Sequence, residues 1–307
     1  MKKVLLIEFS QSGQLSEVLR SFSRALLDAP DVRVHIETLR PRQPYPFPWP
    51  ILRFFDTFPE AVHLDPPQLE PLSLDARERF DLVIVGYTVW FLSPSLPITA
   101  FLKGPQAAEL LRDTPVVTVV ACRDMWLMAQ ERMKELLAAV GARLVGHAAF
   151  TDEAGTAGSF LATPVWVMSG KKGPHLGGLI PRAGVHPEKI RGAVRFGARI
   201  LERLRAGAAL DESLLRGLGA VHVNERLISS ETFIRRGLRL WGSLLRALGP
   251  QGAWVRKPVL LVYILWLVVM ILTVVPLGVL VKALLTPLTR KRVAAQKAYF
   301  GAPSGSA

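Results

Sequence analysis

The stretch Lys2-Lys3-Val4-Leu5-Leu6-Ile7-Glu8-Phe9-Ser10-Gln11-Ser12-Gly13-Gln14-Leu15-Ser16 decides the fold. Val4–Ile7 is apolar without alternation, as in a strand buried on both faces of a parallel sheet. It breaks into a Ser/Gly loop, after which Leu15, Val18, Leu19, Phe22, Ala25 and Leu26 recur at helical spacing. A hydroxyl- and glycine-bearing loop between a strand and its helix aims backbone N–H groups and the helix N-terminus at one point, which suits a phosphate. Turn and cap chemistry favours Ser and Gly at any such junction, so the loop alone leaves the ligand open.

The motifs GxGxxG and GxxxxGKS/T are both absent here. Ser10, Ser12 and Gly13 instead resemble the phosphate loop of flavodoxin-like proteins, which alternates hydroxyl residues with glycine. Leu15 departs from that pattern, where a hydroxyl is usual, although Ser16 is adjacent. Four further strands are expected at Val32–Leu39, Leu82–Tyr87, Val116–Cys122 and Arg143–Phe150, after the first at Val4–Phe9. Helices are expected over Gln14–Leu27, Met125–Val140 and Pro187–Arg205. This alternation predicts a doubly wound α/β fold: a five-stranded parallel sheet in the flavodoxin-like order 2-1-3-4-5, with its ligand beyond the carboxyl ends of the strands.

Two segments interrupt the pattern. Arg40–Leu74 contains Tyr45-Pro46-Phe47-Pro48-Trp49-Pro50, too proline-rich for a helix and too aromatic for a solvated linker. It reads as a lid over an apolar ligand, a surface dipping into a membrane, or aromatics completing the core on one sheet face. Thr151–Pro187 is glycine-rich; Pro164–Met168 reads as a further short strand, and Lys171 and Lys172 as an anion contact or a solvated basic turn.

Two other strand ends carry candidate site residues. Thr88, Val89, Trp90 and Phe91 follow the third strand, with aromatics fit to stack on a flat conjugated ring or to close the end of the sheet. Cys122, Arg123 and Asp124 end the fourth. Asp124 is placed to cap the helix it opens, and Arg123 to stabilise negative charge on a ring or oxyanion. Cys122 is a nucleophile only if its pKa is lowered; otherwise it is an ordinary buried thiol. As the single cysteine, it excludes a disulfide framework or a cysteine-rich metal site within one chain. The six histidines show no metal-ligand spacing, and His63 or His175 is the best placed as an acid or base.

The net charge of +13 is not evenly spread: residues 1–181 carry 18 Lys/Arg against 19 Asp/Glu, and residues 182–307 carry 20 against 6. Pro258–Val281 is a run of 24 residues without a charge, long enough for the hydrocarbon core, so the basic half is expected to meet a membrane and not a nucleic acid. Basic residues flank both ends, and Pro276 and Gly278 within the run predict a kink. A single span and a re-entrant segment are both compatible with this, the long run favouring a span. Ahead of it, Leu227, Ile234, Leu238, Trp241, Leu245 and Leu248 form one stripe among arginines, which reads as an interfacial helix with Trp241 at headgroup depth or as a helix packed on the α/β domain. No secretory signal precedes the first strand, so the α/β domain is expected on the cytoplasmic face of the inner membrane.

The expected plan is therefore a domain over 1–206 with insertions at about 40–75 and 151–187, a basic amphipathic membrane-interface segment over 207–250, a transmembrane or re-entrant segment over 251–290, and a basic, then flexible tail over 291–307. Lys2–Ser16, Phe80–Gly104 and Val116–Phe150 resemble the flavodoxin-like superfamily. The Pro/aromatic insertion, Cys122-Arg123-Asp124-Met125-Trp126 and the hydrophobic tail are similar to the flavodoxin-like proteins of dialkylresorcinol biosynthesis. The resemblance implies FMN held by Ser10, Gln11, Ser12, Gly13, Gln14 and Leu15, with Thr88, Val89, Trp90, Phe91, Cys122, Arg123 and Asp124 around its ring. It implies an oxidation that aromatises an alkylated cyclohexanedione dissolved in membrane lipid, and a ketosynthase-like partner. A membrane-tethered electron carrier or quinone reductase is the alternative, as is a flavin-less scaffold, which Leu15 favours.

Overall fold

The computed structural model describes residues 1–305 other than Ala76 and Glu153; the side chains of residues 155–157 and 274–289 are outside the description. The strands are β1 (Lys2–Glu8), β2 (Val32–Thr38), β3 (Leu82–Trp90), β4 (Ser93–Pro94), β5 (Pro115–Cys122) and β6 (Arg143–Thr151). Their order is β2-β1-β3-β5-β6, with the two-residue β4 paired antiparallel to the end of β3. All the other pairings are parallel. With β4 set aside, this is the predicted order, and it places the switch point between β1 and β3.

Alternation along each strand feeds two apolar layers. Leu5, Ile7, Val83 and Val85 face a core shared with the helices Leu96–Lys103, Leu127–Ala139 and Phe58–His63. Val4, Leu6, Leu82 and Ile84 face the opposite core, built with Gln14–Phe22 and Val194–Arg205. The expected helix over Gln14–Leu27 is two pieces divided at Ser23, and that over Pro187–Arg205 is divided at Ala193. Close packing accompanies the first break: a Cβ on Gly197 would lie 2.1 Å from the Phe22 carbonyl oxygen.

Both insertions differ in part from expectation. Pro164–Met168 is not a strand but part of the helix Gly155–Ser169. Ala162 and Trp166, one turn apart on it, are buried with Ala183 and packed by Phe47 from the other insertion. In Arg40–Leu74, Phe58 and Val62 complete the sheet-face core, as one of the three readings held. Its proline/aromatic part instead runs over the carboxyl ends of the strands, where the Trp49 backbone N–H donates to the Val167 carbonyl.

The stripe on Glu225–Ala247 is used within the molecule. Leu227, Leu238 and Leu245 are buried, while Trp241 lies 5.5 Å from Tyr263 and 5.6 Å from Trp266, ring centre to ring centre. Tyr263 and Trp266 belong to the last helix, Arg256–Gly301. Its stretch Arg256–Thr273, with a mean hydropathy of 1.9, is long and apolar enough to cross a membrane. The expected kink at Pro276 and Gly278, and the flanking Lys282, fall outside the described side chains.

Candidate functional site

Three loops meet beyond the strand ends. In the first, Gly13 is the N-cap of Gln14–Phe22 and holds φ +80°, a left-handed conformation that costs glycine little. Among the described residues no hydrogen bond is made by the N–H groups of Ser12, Gly13, Gln14 or Leu15, the donors that open this helix. The Ser10 hydroxyl accepts from the Ser16 N–H at 3.3 Å, which fixes the loop, and Gln11 donates its amide to the Pro46 carbonyl. Gln14 is buried, and its Nε2 has no partner among the described residues. Leu15 is 1% exposed and belongs to the core, so its departure from the hydroxyl pattern leaves only its backbone N–H to serve a ligand. Below the loop, burial raises the pKa of Glu8, while a hydrogen bond with Ser16 and the charge of Arg20 oppose that rise.

The second loop is a tight hairpin. Val89 pairs with Pro94 and Trp90 with Ser93, and the turn residues Phe91 and Leu92 take φ of +50° and +60°. Bulky residues rarely adopt that conformation; here packing holds them, with Phe91 against Phe54 and Phe58 and Leu92 buried. Phe91 therefore closes the end of the sheet. Trp90 meets Phe9 at 6.0 Å, Tyr45 at 4.8 Å and Trp49 at 5.7 Å between ring centres, each edge to face. The Thr88 hydroxyl is buried without a partner among the described residues. Beside Tyr45 lies a cavity of about 580 Å³ lined by Arg42, Leu52, Arg53, Lys257 and Leu260, where the first insertion meets the root of the apolar helix.

The third loop corrects two expectations. Asp124 does not cap the helix it precedes: it accepts from the Asn224 amide at 3.0 Å, and that helix begins only at Leu127, with Trp126 as its N-cap. A side-chain acceptor for its first turn comes from Glu231, which accepts from the Met128 N–H at 2.8 Å across the interface with Glu225–Ala247. Burial pushes the Glu231 carboxyl up to about 8, and Oε1 has no partner among the described residues, as fits an acid that keeps its proton at neutral pH. Cys122 is no activated thiol: burial raises its pKa well above the usual range, with Asp124 and Glu231 adding to the effect. Arg123 makes no ion pair among the described residues; its guanidinium carbon lies 4.0 Å from the centre of the Phe160 ring, and Nη2 donates to Met125 Sδ at 3.4 Å.

The two insertions close over these loops together. The first reaches the phosphate loop through Gln11 and Pro46, and the second through Gly184, whose Cβ position would lie 2.6 Å from Gln14 Nε2. Asp152 holds this second segment by accepting the Gly184 N–H at 2.7 Å. Neither histidine candidate is brought into the loops described above. His63 contacts Ser243 at 3.3 Å between the insertion and Glu225–Ala247, and His175 contacts the Lys171 carbonyl at 3.1 Å in an exposed turn. Lys172 lies over Trp166, 5.2 Å from the centre of its ring. Among the described residues no group of His, Cys, Asp and Glu is arranged to hold a metal.

Sequence reasoning missed Glu231. It is the one carboxylate on the stripe Leu227–Glu231–Ile234–Leu238, and an acid at a core position of an otherwise apolar face was its signal.

No family model and no curated protein matches the sequence. Among solved structures the chain is similar to a flavoprotein in complex with FMN from Lactobacillus acidophilus NCFM, at 18% identity and a TM-score of 0.39 over 48% of this chain and 93% of that one. It is similar to oxidised flavodoxin 1 from Bacillus cereus at 14% identity and 0.36, over 66% and 98%. It is also similar to a flavone reductase at 10% identity and 0.35, over 69% and 67%. The assignment of the fold stays with the strand order and register.

Proposed function

We propose that this flavodoxin-like chain is a membrane-anchored FMN-dependent oxidoreductase acting on a lipophilic ring substrate. One observation carries the reading: among the described residues the N–H groups of Ser12–Leu15 at the β1 turn make no hydrogen bond, and neither do the buried Gln14 Nε2 and Thr88 hydroxyl. Such donors at a helix N-terminus fit a phosphate monoester. The residues that would hold FMN are Ser10–Leu15 at its phosphate, with Thr88–Trp90 and Cys122–Asp124 toward its ring. When bound, FMN would supply a two-electron acceptor for hydrogen taken from a substrate ring.

The protein's own part is positioning and charge. Trp90, under Tyr45 and Trp49, supplies an apolar wall and keeps water off it. The half-buried Arg123 makes no ion pair among the described residues, although the charges of Asp124 and Asp152 act on it, and it would stabilise an oxyanion on a substrate whose ring is losing a proton. Glu231 holds the start of Leu127–Ala139, and so the Arg123 loop, from below. The cavity beside Tyr45, at the protein-packed root of the apolar helix, would be the place where substrate enters. Covered aromatics favour a bound-substrate enzyme over a simple electron carrier, which must leave its ring edge open to a partner.

Oxidative aromatisation of an alkylated cyclohexanedione to a dialkylresorcinol is the finer reading, with lipid holding substrate and product and a ketosynthase-like enzyme supplying the ring. The test is anaerobic mixing of the flavin-loaded protein with such a dione. Loss of the flavin's visible absorbance, matched by one equivalent of resorcinol, supports it. Bleaching by a nicotinamide cofactor and recovery with quinone, without reaction of the dione, replaces it with the quinone reductase reading.

A further inference from the structure

We infer that the apolar C-terminal segment enters the bilayer and leaves it on the same face, as a re-entrant anchor on one membrane surface. The inference rests on the membrane reading above and concerns its topology. At the near end, Arg256 is fully buried, donating from Nη2 to Glu60 at 2.8 Å and from Nε to the Leu245 carbonyl at 3.0 Å. Two turns on, Tyr263 stacks on Phe58 with ring centres 4.3 Å apart. At the far end, Lys297 pairs with Glu225 at 2.7 Å, and Tyr299 donates its hydroxyl to Glu131 at 2.8 Å. Phe300 is buried in the same core as Phe58 and Tyr263. Residues before and after the apolar run thus hold one α/β body, which lies on one side of a bilayer. A single crossing would tear one set of contacts away.

Two lengths agree with this. A straight helix from Arg256 to Lys297 would hold those residues about 60 Å apart. Their partners Leu245 and Glu225 lie on one helix, about 30 Å apart, and side-chain reach adds about 20 Å at most. Both ends of Arg256–Gly301 are therefore held on one body. The run is also partly committed to the body, since the Trp266 ring sits against Gly237 and Trp241. Leu267–Val281 adds about 22 Å, short of the hydrocarbon core of about 30 Å.

The surface matches one membrane face. Leu261, Leu265, Val268 and Leu272 are exposed on this helix, as are Leu240 and Leu244 on its neighbour. Arg236, Arg239, Arg290, Lys291 and Arg292 are exposed on the same two helices, and the fitting partner is an anionic lipid surface.

The test labels full-length protein in sealed membrane vesicles with a membrane-impermeant maleimide, using Trp254→Cys and Ala295→Cys, with the native Cys122 as the background. The expected result is labelling of both from the face that carries the α/β body, with no gain when detergent opens the vesicles. Labelling of Ala295→Cys only from the face opposite Trp254→Cys overturns the inference and leaves the anchor standing. Release of the protein by alkaline carbonate removes the membrane reading itself, and the re-entrant topology with it.

Discussion

At the scale of single residues the proposed function falls to Gly13, Arg123 and, through the loop it holds, Glu231, and each can be tested by one change. Gly13→Ala forces a left-handed backbone on a residue with a Cβ, at about 1–2 kcal/mol. It is expected to weaken FMN binding about tenfold, read by quenching of flavin fluorescence in a titration. Arg123→Met is expected to lower kcat about 10²- to 10³-fold while leaving the bound-flavin spectrum in place. Glu231 has a folded pKa of about 8 against an ordinary 4.5, so the folded state binds the extra proton between these values. Stability is then full below pH 4.5, falls by about 1.4 kcal/mol per unit as the pH rises toward 8, and is flat beyond. Glu231→Gln is expected to abolish that slope in denaturant melts run across the window; an unchanged slope would assign the titration elsewhere. The turn at Ser10–Ser16 was legible because Ser and Gly at a strand–helix junction have a local meaning. Glu231 was not, because its role depends on the Leu127–Ala139 helix, 103 residues away from Met128 to the carboxylate, and periodicity reports only that the position is buried.

Among elements, the strands were legible because Val, Leu and Ile runs admit few other structures. The helix over Gly155–Ser169 was not: Pro164 and the surrounding glycines argue against it, and only its packing with Phe47 and Ala183 justifies it. The amphipathic stripe on Glu225–Ala247 would look the same against lipid or against protein, so the structure had to decide. One contact ties the insertion, this helix and the apolar helix together: Arg256, buried between Glu60 at 2.8 Å and Asp56 at 3.4 Å. Arg256→Met strands two carboxylates that burial already drives toward protonation. It is expected to cost about 3–5 kcal/mol, seen as a lower unfolding midpoint in detergent and earlier proteolysis after the Glu225–Ala247 helix.

Across the whole molecule charge is divided along the chain, balanced over 1–181 and basic over 182–307, while residues of both halves share the two cores. Exposed arginines beside exposed leucines predict that attachment to anionic vesicles weakens with added salt while a salt-resistant apolar component persists, as flotation assays would show. The roof belongs to this scale as well, since neither insertion closes the site without the other. The central claim is that the converging loops hold FMN, and the most direct test is the visible absorbance of the full-length protein purified in detergent, with the released chromophore identified. The account predicts a flavin spectrum and FMN on release, or uptake of added FMN in equal proportion to the chain. A colourless protein that leaves added FMN fluorescent and unbound would contradict it.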